Sequence, residues 1–487
     1  MKKQIDFKIV ILAGGSAPGL WPESRELLPW QFQKDCCSGV LTARCADKGV
    51  NSKALSPFER TARFAESMVG RDSILVLADK DQAYGAAYHQ LKEYNVVCEP
   101  DYRETAISIE LACMWALNES RRSVVLVMPA GFVPENESVF NFCLQSALEA
   151  AAGGSIAAIG FLPDTERAAK GYLLQTAESS GPAFKAAYAA DRPAKGGYYT
   201  YERTLVFKPE VVLAEIKKDA PAVYDQLNFL AGEDFSTHGI KTVSLEKYYG
   251  KIQSRSFGKD VLSKSENLVC VPCAFRFNTC YDWKSVFSLS NRDASNNIVS
   301  GSVINRNSRN SLIKAASRTV AAVGLDNMAV IETADAVFVS PISMAGEAYN
   351  IAEELRKRGD ALNKEHTRVE RPWGSFTVLL ESPAYKIKII EVLPGEQLSL
   401  QLHHKRDEYW TFVRGEAEIV IADKAMPRRR GESAFIPREV KHAVKNIGAD
   451  ALQFIEVEIG EYFGEDDTVR FADIYGREDD IKEGVFN

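Results

Sequence analysis

Strongly apolar runs of six to eight residues recur through the first half of the chain, at FKIVILA (7–13), SILVLA (73–78), SVVLVMPA (123–130) and IAAIGFLP (156–163). Runs of that length with little alternation read as strands buried on both faces of a sheet. Between them, ESRELLPWQFQ (23–33), AYGAAYHQLKEYN (83–95) and TAISIELACMWALNES (105–120) space their apolar residues as helices do. Strand–helix alternation of this kind predicts a doubly wound, mostly parallel α/β domain over residues 1–290. From 295 to 342 the texture changes to short apolar pieces separated by Asn, Asp, Gly and Ser, which predicts stacked short strands with turns. The amphipathic helix GEAYNIAEELRKRGD (346–360) closes this connecting segment, 291–360. ALNKEHTRVERP (361–372) reads as a polar linker at the head of a third domain, 361–487. Beyond it strands dominate, with turns at PGE, RGE, ADK and RRRGE, as in a compact antiparallel barrel.

Length and composition narrow the function. A chain of 487 residues with 46% hydrophobic and 26% charged positions is a multidomain globular protein. With 59 Lys plus Arg against 66 Asp plus Glu, the net charge of -7 gives no bulk attraction to nucleic acid or anionic membrane, so any phosphate is held locally. No run of 18 apolar residues exists, and Asp6 interrupts the start, so neither a membrane span nor a signal peptide is expected. Nine cysteines, all at or before Cys280, do not form a disulfide framework; the expected location is a reducing cytoplasm. Cys270 and Cys273 of CVPC lie in an apolar run and read as buried thiols rather than zinc ligands, and PRRRG (427–431) as a solvated hairpin tip.

Three of six histidines, His403, His404 and His442, fall within 40 residues in the barrel segment. In LSLQLHHKRDEYW, period-2 alternation puts Ser399, Gln401 and His403 on one strand face and the leucines with His404 on the other. Glu408 returns to the Gln401/His403 face across a turn, and a later strand offers His442. Gln401, His403, Glu408 and His442 make a mixed N/O donor set suited to zinc or another divalent first-row ion. The same residues can instead plug the interior of a metal-free barrel; four competent donors in phase favour the metal. Trp410 shares the phase of Glu408 and can wall a pocket, while Trp373 and Phe412 read as packing.

These spacings resemble the cupin family. Its first pattern falls on Gly395, Gln401, His403, Glu408 and Gly415, and its second on Gly431, Pro437, His442 and Asn446. Gln in the first ligand position is similar to the phosphomannose isomerases. At the other end, LAGGSAPGLWPESRELLPWQF places Gly14 and Gly15 in a loop where backbone N–H groups can cradle phosphate. That string resembles the signature of sugar-nucleotide pyrophosphorylases, closest to the bacterial bifunctional mannose-1-phosphate guanylyltransferase/mannose-6-phosphate isomerase family. EPDYRETA, with Arg103, and VERPWGSF and GEDDTVRFADIYGR extend the resemblance nearly end to end. The implied architecture is a Rossmann-like nucleotidyltransferase domain, a short β-helix-like segment and a C-terminal cupin barrel.

The departures concentrate in nucleotidyl transfer. Gly19 stands for the signature Arg and Trp30 for the Lys of Pro-Lys-Gln-Phe. Gly131 and Phe132 stand in Pro-Ala-Asp-His, and Phe277 to Tyr281, with Thr279 at its Asp, in Trp-Asn-Asp-Val-Gly. Asp191, Arg192 and Pro193 replace Glu-Lys-Pro, and Tyr201, Glu202 and Arg203 replace Asn-Ser-Gly. Both carboxylates that would hold Mg²⁺ and two cations that would face phosphate are absent, so Mg²⁺ is not expected at this site. Residual nucleotide or sugar-phosphate binding at Gly14 and Gly15 is the alternative to a purely structural loop.

The resemblance implies isomerisation of mannose 6-phosphate and fructose 6-phosphate in the cupin, in nucleotide-sugar and polysaccharide synthesis. Arg406, Arg470 and Arg477 match family arginines and are the candidates for holding phosphate or enediolate, with Lys388, or its strand-mate Lys386, reaching the pocket. Sequence identifies no general base. Lys405 and Tyr409 replace two histidines of the family's His-rich motif. An active guanylyltransferase and a non-catalytic sugar-phosphate-binding scaffold are the competing readings; a homo-oligomer is compatible with either.

Overall fold

The computed structural model describes residues 7–34, 55–100, 105–120, 122–163, 169–176, 181–194, 197–227, 239–242, 255–277, 280–472 and 474–475. The chain divides into two compact units, one of Met1–Ala83 with Gln90–Asn363 and one of Tyr84–His89 with Lys364–Asn487. Among the described residues no helix is long and apolar enough to cross a membrane.

All four apolar runs of the first half are strands of one ten-stranded sheet: Phe7–Leu12, Ile74–Asp79, Val124–Pro129 and Ile156–Phe161. Asn95–Glu99, Ile74–Asp79, Phe7–Leu12 and Val124–Pro129 lie side by side in that order, all parallel. The first strand is thus central, and the loop after it opens where the strand order reverses, the usual position of a ligand crevice. Beyond Val124–Pro129 the long strand Tyr198–Phe207 runs antiparallel and joins a mixed half that includes Leu268–Cys273. That last strand buries Cys270 and Cys273 as free thiols.

Of the three predicted helices only Thr105–Glu119 forms as read, apolar almost all round and buried accordingly. ESRELLPWQFQ has no α-helix; it contributes only the single 3₁₀ turn Trp30–Phe32. Pro22 and Pro29 remove backbone donors, and side chains take the backbone acceptors instead: Arg25 Nε donates to Pro22 O at 2.7 Å, and Gln33 Nε2 to Glu23 O at 2.7 Å and Leu28 O at 2.8 Å. AYGAAYHQLKEYN likewise breaks, into the ends of two single turns, Lys80–Ala83 and Tyr88–Leu91, with Gly85 between them, before Asn95 enters a strand.

The Asn-rich segment forms the stacked strands expected of it. Ile298–Arg306, Leu312–Val323 and Met328–Glu332 pair in parallel, and Val337–Pro341 closes the sheet antiparallel. Asn296, Asn307, Asn310 and Asn327 all sit at positive φ in its turns, a conformation Asn tolerates better than most residues. The helix Ala348–Arg358 follows and ends at Gly359, φ 67°.

The second unit is two antiparallel sheets. One runs Arg368–Arg371, Gly374–Ser382, Tyr385–Val392, Leu452–Gly460, Arg406–Arg414, Ser433–Ile436; the other runs Lys424–Arg429, Glu416–Ile421, His442–Asn446, Leu400–His403, Thr468–Ala472. Part of the expected linker is therefore an edge strand, because Val369 and Trp373 are apolar enough to bury with the barrel core. The core is dominated by Trp410, Phe412 and Phe454, with ring centroids 5.1 and 5.3 Å apart. The ADK turn places Ala422 and Asp423 at positive φ, as a two-residue hairpin requires.

Candidate metal centre

Cross-strand register sets the site. In one sheet Gln401 pairs with both His442 and Arg470, which brings the three onto one face across three strands. In the other, Glu408 pairs with Glu458, while Trp410 and Lys388 both pair with Glu456. The two inward faces line a small, solvent-open pocket of about 50 Å³, bordered among others by Gln401, Glu408, Lys388, Glu456, Arg371 and Arg470.

Glu408, on the pocket wall, is clustered with His403 and His442: their side-chain donors all lie within 4.8 Å of one another, each residue at most 2% exposed. His403 Nε2 is 2.9 Å from Glu408 Oε1, and His442 Nε2 is 3.6 Å from Oε2. His442 donates Nδ1–H to Val440 O at 2.9 Å, which leaves Nε2 as the lone-pair nitrogen facing Glu408. That buried Nε2 has no hydrogen-bond partner, an expensive arrangement unless a cation is its complement. Burial holds His442 toward the neutral, ligand-competent form, against the pull of Glu408. Burial opposes ionisation of Glu408, but the His403 hydrogen bond and the surrounding electropositive groups, Arg406 among them, prevail and hold its carboxyl well below the usual range. Gln401, half-buried, lines the same pocket and accepts from Ser399 Oγ at 3.3 Å. Two imidazoles, a carboxylate and an amide oxygen fit a divalent first-row ion. His404 is excluded as expected: half exposed, it contacts Glu439 at 2.8 Å.

Of the cations singled out from sequence, Lys388 faces inward and is 2.7 Å from Glu458 and 3.3 Å from Glu456. Burial disfavours its charge, yet the two carboxylates win and raise its pKa, so it is a fixed ammonium and not a base. Lys386 turns away to Glu381, 2.9 Å. Arg406 lines the pocket, buried against Glu458 at 3.2 Å and Glu408 at 3.5 Å. Arg470 also lines it, its Nη2 3.0 Å from Glu465. Arg477, like Arg103 and Thr279, lies outside the described residues.

Sequence reading missed Glu456, Glu458, Arg371 and Glu465. Glu456 is 5% exposed; its Oε2 accepts from Trp410 Nε1 at 3.1 Å, and the same N–H reaches Glu408 Oε2 at 3.1 Å. Burial, then repulsion from Glu408, pushes the Glu456 carboxyl up to about 8. The signal lay in LQFIEVEIG, where Leu452, Phe454, Glu456 and Glu458 share one strand phase and all are buried. The replacements Lys405 and Tyr409 point away from the site: Lys405 Nζ sits over Tyr462, 4.7 Å from its centroid, and half-exposed Tyr409 packs at a tilt against Phe435.

The N-terminal loop is built differently. Gly15 has φ 93°, and Gln31 Nε2 donates to Ala13 O and Gly15 O, both at 2.8 Å, stitching the loop shut. A Cβ on Gly19 would stand 2.3 Å from Tyr281 O, and one on Gly131 2.9 Å from the buried Trp30 ring. Phe132 and Phe277 stack face to face, centroids 5.1 Å apart and planes 3° from parallel. Where the pyrophosphorylase signature carries charge, this chain packs aromatic rings.

An inward cluster of two His, Glu and Gln in a double-sheet barrel, on a chain that also carries a nucleotidyltransferase-like sheet and a β-helix segment, defines a cupin barrel fused to a nucleotidyltransferase fold. Residues 358–473 match the family model of the mannose-6-phosphate isomerase C-terminal domain, and 301–355 that of the MannoseP isomerase/GMP-like beta-helix domain. Mannose-1-phosphate guanylyltransferase of Escherichia coli (strain K12) is 30% identical over 493 residues, covering 96% of this chain and 98% of that protein. Xanthan biosynthesis protein XanB of Xanthomonas campestris pv. campestris (strain B100) is 31% identical over 480 residues, again 96% and 98%. The chain belongs to the bifunctional mannose-1-phosphate guanylyltransferase/mannose-6-phosphate isomerase family. The crystal structure of mannose-1-phosphate geranyltransferase from Thermus thermophilus shares the fold, with TM-score 0.61 at 22% identity over 72% of this chain and all of that one.

Proposed function

We propose that the barrel interconverts mannose 6-phosphate and fructose 6-phosphate, and that the N-terminal unit does not transfer nucleotides. The observation that carries the first half is the buried His403–Glu408–His442 donor set, whose Glu408 lines one pocket with a protonatable carboxylate and several cations. A divalent ion held by Gln401, His403, Glu408 and His442 would supply Lewis-acid stabilisation of the sugar's carbonyl and neighbouring hydroxyl oxygens. Glu456 takes the proton from C2 of the aldose and returns it to C1; burial and the Trp410 hydrogen bond fix its carboxylate in the pocket wall. Lys388 and Arg406, clamped by Glu458, hold the carboxylates in place and lend positive field to the enediolate. Arg470, with Arg371, anchors the phosphate.

The test is a coupled isomerase assay on metal-loaded full-length protein and its His403→Ala variant, with elemental analysis of both. Turnover in the wild type, with metal and activity lost together in the variant, is the expected result; an inactive but metal-replete wild type would leave a non-catalytic sugar-phosphate scaffold as the better account.

The second half rests on the packing at Gly19, Trp30 and Gly131, where a backbone carbonyl and an indole ring stand against the side chains that the family signature has at 19 and 131. Near end-to-end similarity to the Escherichia coli guanylyltransferase favours the opposite reading, in which GTP and mannose 1-phosphate give GDP-mannose. Pyrophosphate release with Mg²⁺ separates the two.

A further inference from the structure

The mouth of the barrel pocket is occupied by an anion that the chain itself provides. Glu465 begins the 3₁₀ turn Glu465–Asp467, its side chain 57% exposed, with Oε2 3.0 Å from Arg470 Nη2. It shares the pocket lining with Arg371, Lys388, Arg406 and Arg470. Although partial burial opposes its ionisation, Lys388, Arg371, Arg470 and Arg406 pull its carboxyl below the usual range, so it is an anion throughout the physiological range, while its exposure to water screens those charges. The turn does not depend on this side chain. Asp467 accepts from Lys405 N at 3.2 Å, Asp466 from Tyr462 Oη at 2.6 Å, and Arg406 Nη1 donates to Gly464 O at 3.3 Å. Those bonds secure the backbone on both sides of Glu465 and leave its carboxylate able to change rotamer at small cost.

We propose that the Glu465 carboxylate fills the phosphate subsite of the pocket and is displaced by a phosphomonoester, making it the residue that selects phosphorylated over neutral sugars. The proposal rests on the isomerase reading for its biological substrate, but the subsite stands on its own chemistry. A phosphate carries close to two negative charges above its second pKa of about 6, against one for the carboxylate, and accepts through three oxygens, so it outcompetes Glu465 for the arginines. A neutral sugar offers no such exchange and meets a pocket mouth still closed by an ion pair.

The probe is inorganic phosphate, titrated calorimetrically into full-length protein at pH 7.5. Glu465→Gln and Glu465→Ser should each bind phosphate about 10-fold more tightly, with unchanged thermal unfolding, and Arg470→Ala should bind it at least 10-fold more weakly. In the isomerase assay the Glu465 variants should lower KM with kcat unchanged. Unchanged or weaker phosphate binding in both Glu465 variants overturns the proposal and makes Glu465 a wall of the pocket. Tighter phosphate binding in a protein without isomerase activity upholds the subsite and removes only the functional reading above.

Discussion

Single buried carboxylates decide most of what can be tested at the residue scale. If Glu456 moves the proton, Glu456→Gln keeps the Trp410 contact and the shape of the pocket while removing the titrating group; kcat should fall on the order of 10²-fold or more with KM nearly unchanged. Steady-state kinetics check this, and an active Gln variant would return the role to another group. Glu110 is a second case, unrelated to the barrel. It lies on the buried helix Thr105–Glu119, fully enclosed, with neither carboxylate oxygen hydrogen-bonded. Burial, with Asp225 adding repulsion, pushes its carboxyl from 4.5 up to about 8. The native state then keeps a proton that the unfolded chain loses above pH 4.5. Its contribution is fully present below that pH, declines as pH rises toward 8 and is flat beyond, a loss of roughly 5 kcal/mol at most. Glu110→Met should therefore raise the melting temperature by several degrees at pH 8.5 and flatten its dependence between pH 5 and 8.5; parallel melting curves for the two proteins would contradict it. Neither Glu456 nor Glu110 was legible as special in sequence, since a carboxylate's burial is a property of what packs over it.

At the scale of elements, strand phase was the most transferable signal. Alternation along LSLQLHH separated His403 from His404, and the structure buries one beside Glu408 and leaves the other on the surface. It also separates the pocket from the two departures next to it. Lys405→His and Tyr409→His, which restore the family's residues on the outward side, should leave metal content and KM unchanged, as measured by elemental analysis and kinetics; a gain in bound metal would show that the outward positions communicate with the site. Helical spacing transferred less well. ESRELLPWQFQ carries apolar residues at the right intervals, but Pro22, Pro29 and the backbone-binding Gln33 determine its path, and periodicity is blind to all three. Arg371 escaped for a related reason: a short polar stretch before Trp373 looks like a linker until its partner strand, Gly374–Ser382, is known.

For the molecule as a whole, the expected behaviour is one activity where the family carries two. Full-length protein supplied with GTP, mannose 1-phosphate and Mg²⁺ should release no pyrophosphate above background, because each absent cation or metal ligand costs on the order of 10² in rate and four are replaced. Turnover at the level of ordinary family members would establish the bifunctional reading. The fold class of both units was visible in sequence because buried strands and barrel turns are local patterns, whereas the state of the N-terminal site required seeing which rings touch. The contact between Trp30 and Gly131 also bears on evolutionary history. Restoring Asp at 131 alone drives a side chain into an indole at a φ of +86°, and restoring Arg at 19 alone drives one into a backbone carbonyl. The positions are coupled to their neighbours: Asp at 131 fits only if Trp30 is exchanged as well, while a side chain at 19 meets the Tyr281 carbonyl whichever residue stands at 30. On the proposed reading, in which nucleotidyl transfer is absent, such a sequence behaves as a ratchet: the activity is more easily supplied by a separate gene than regained in this one.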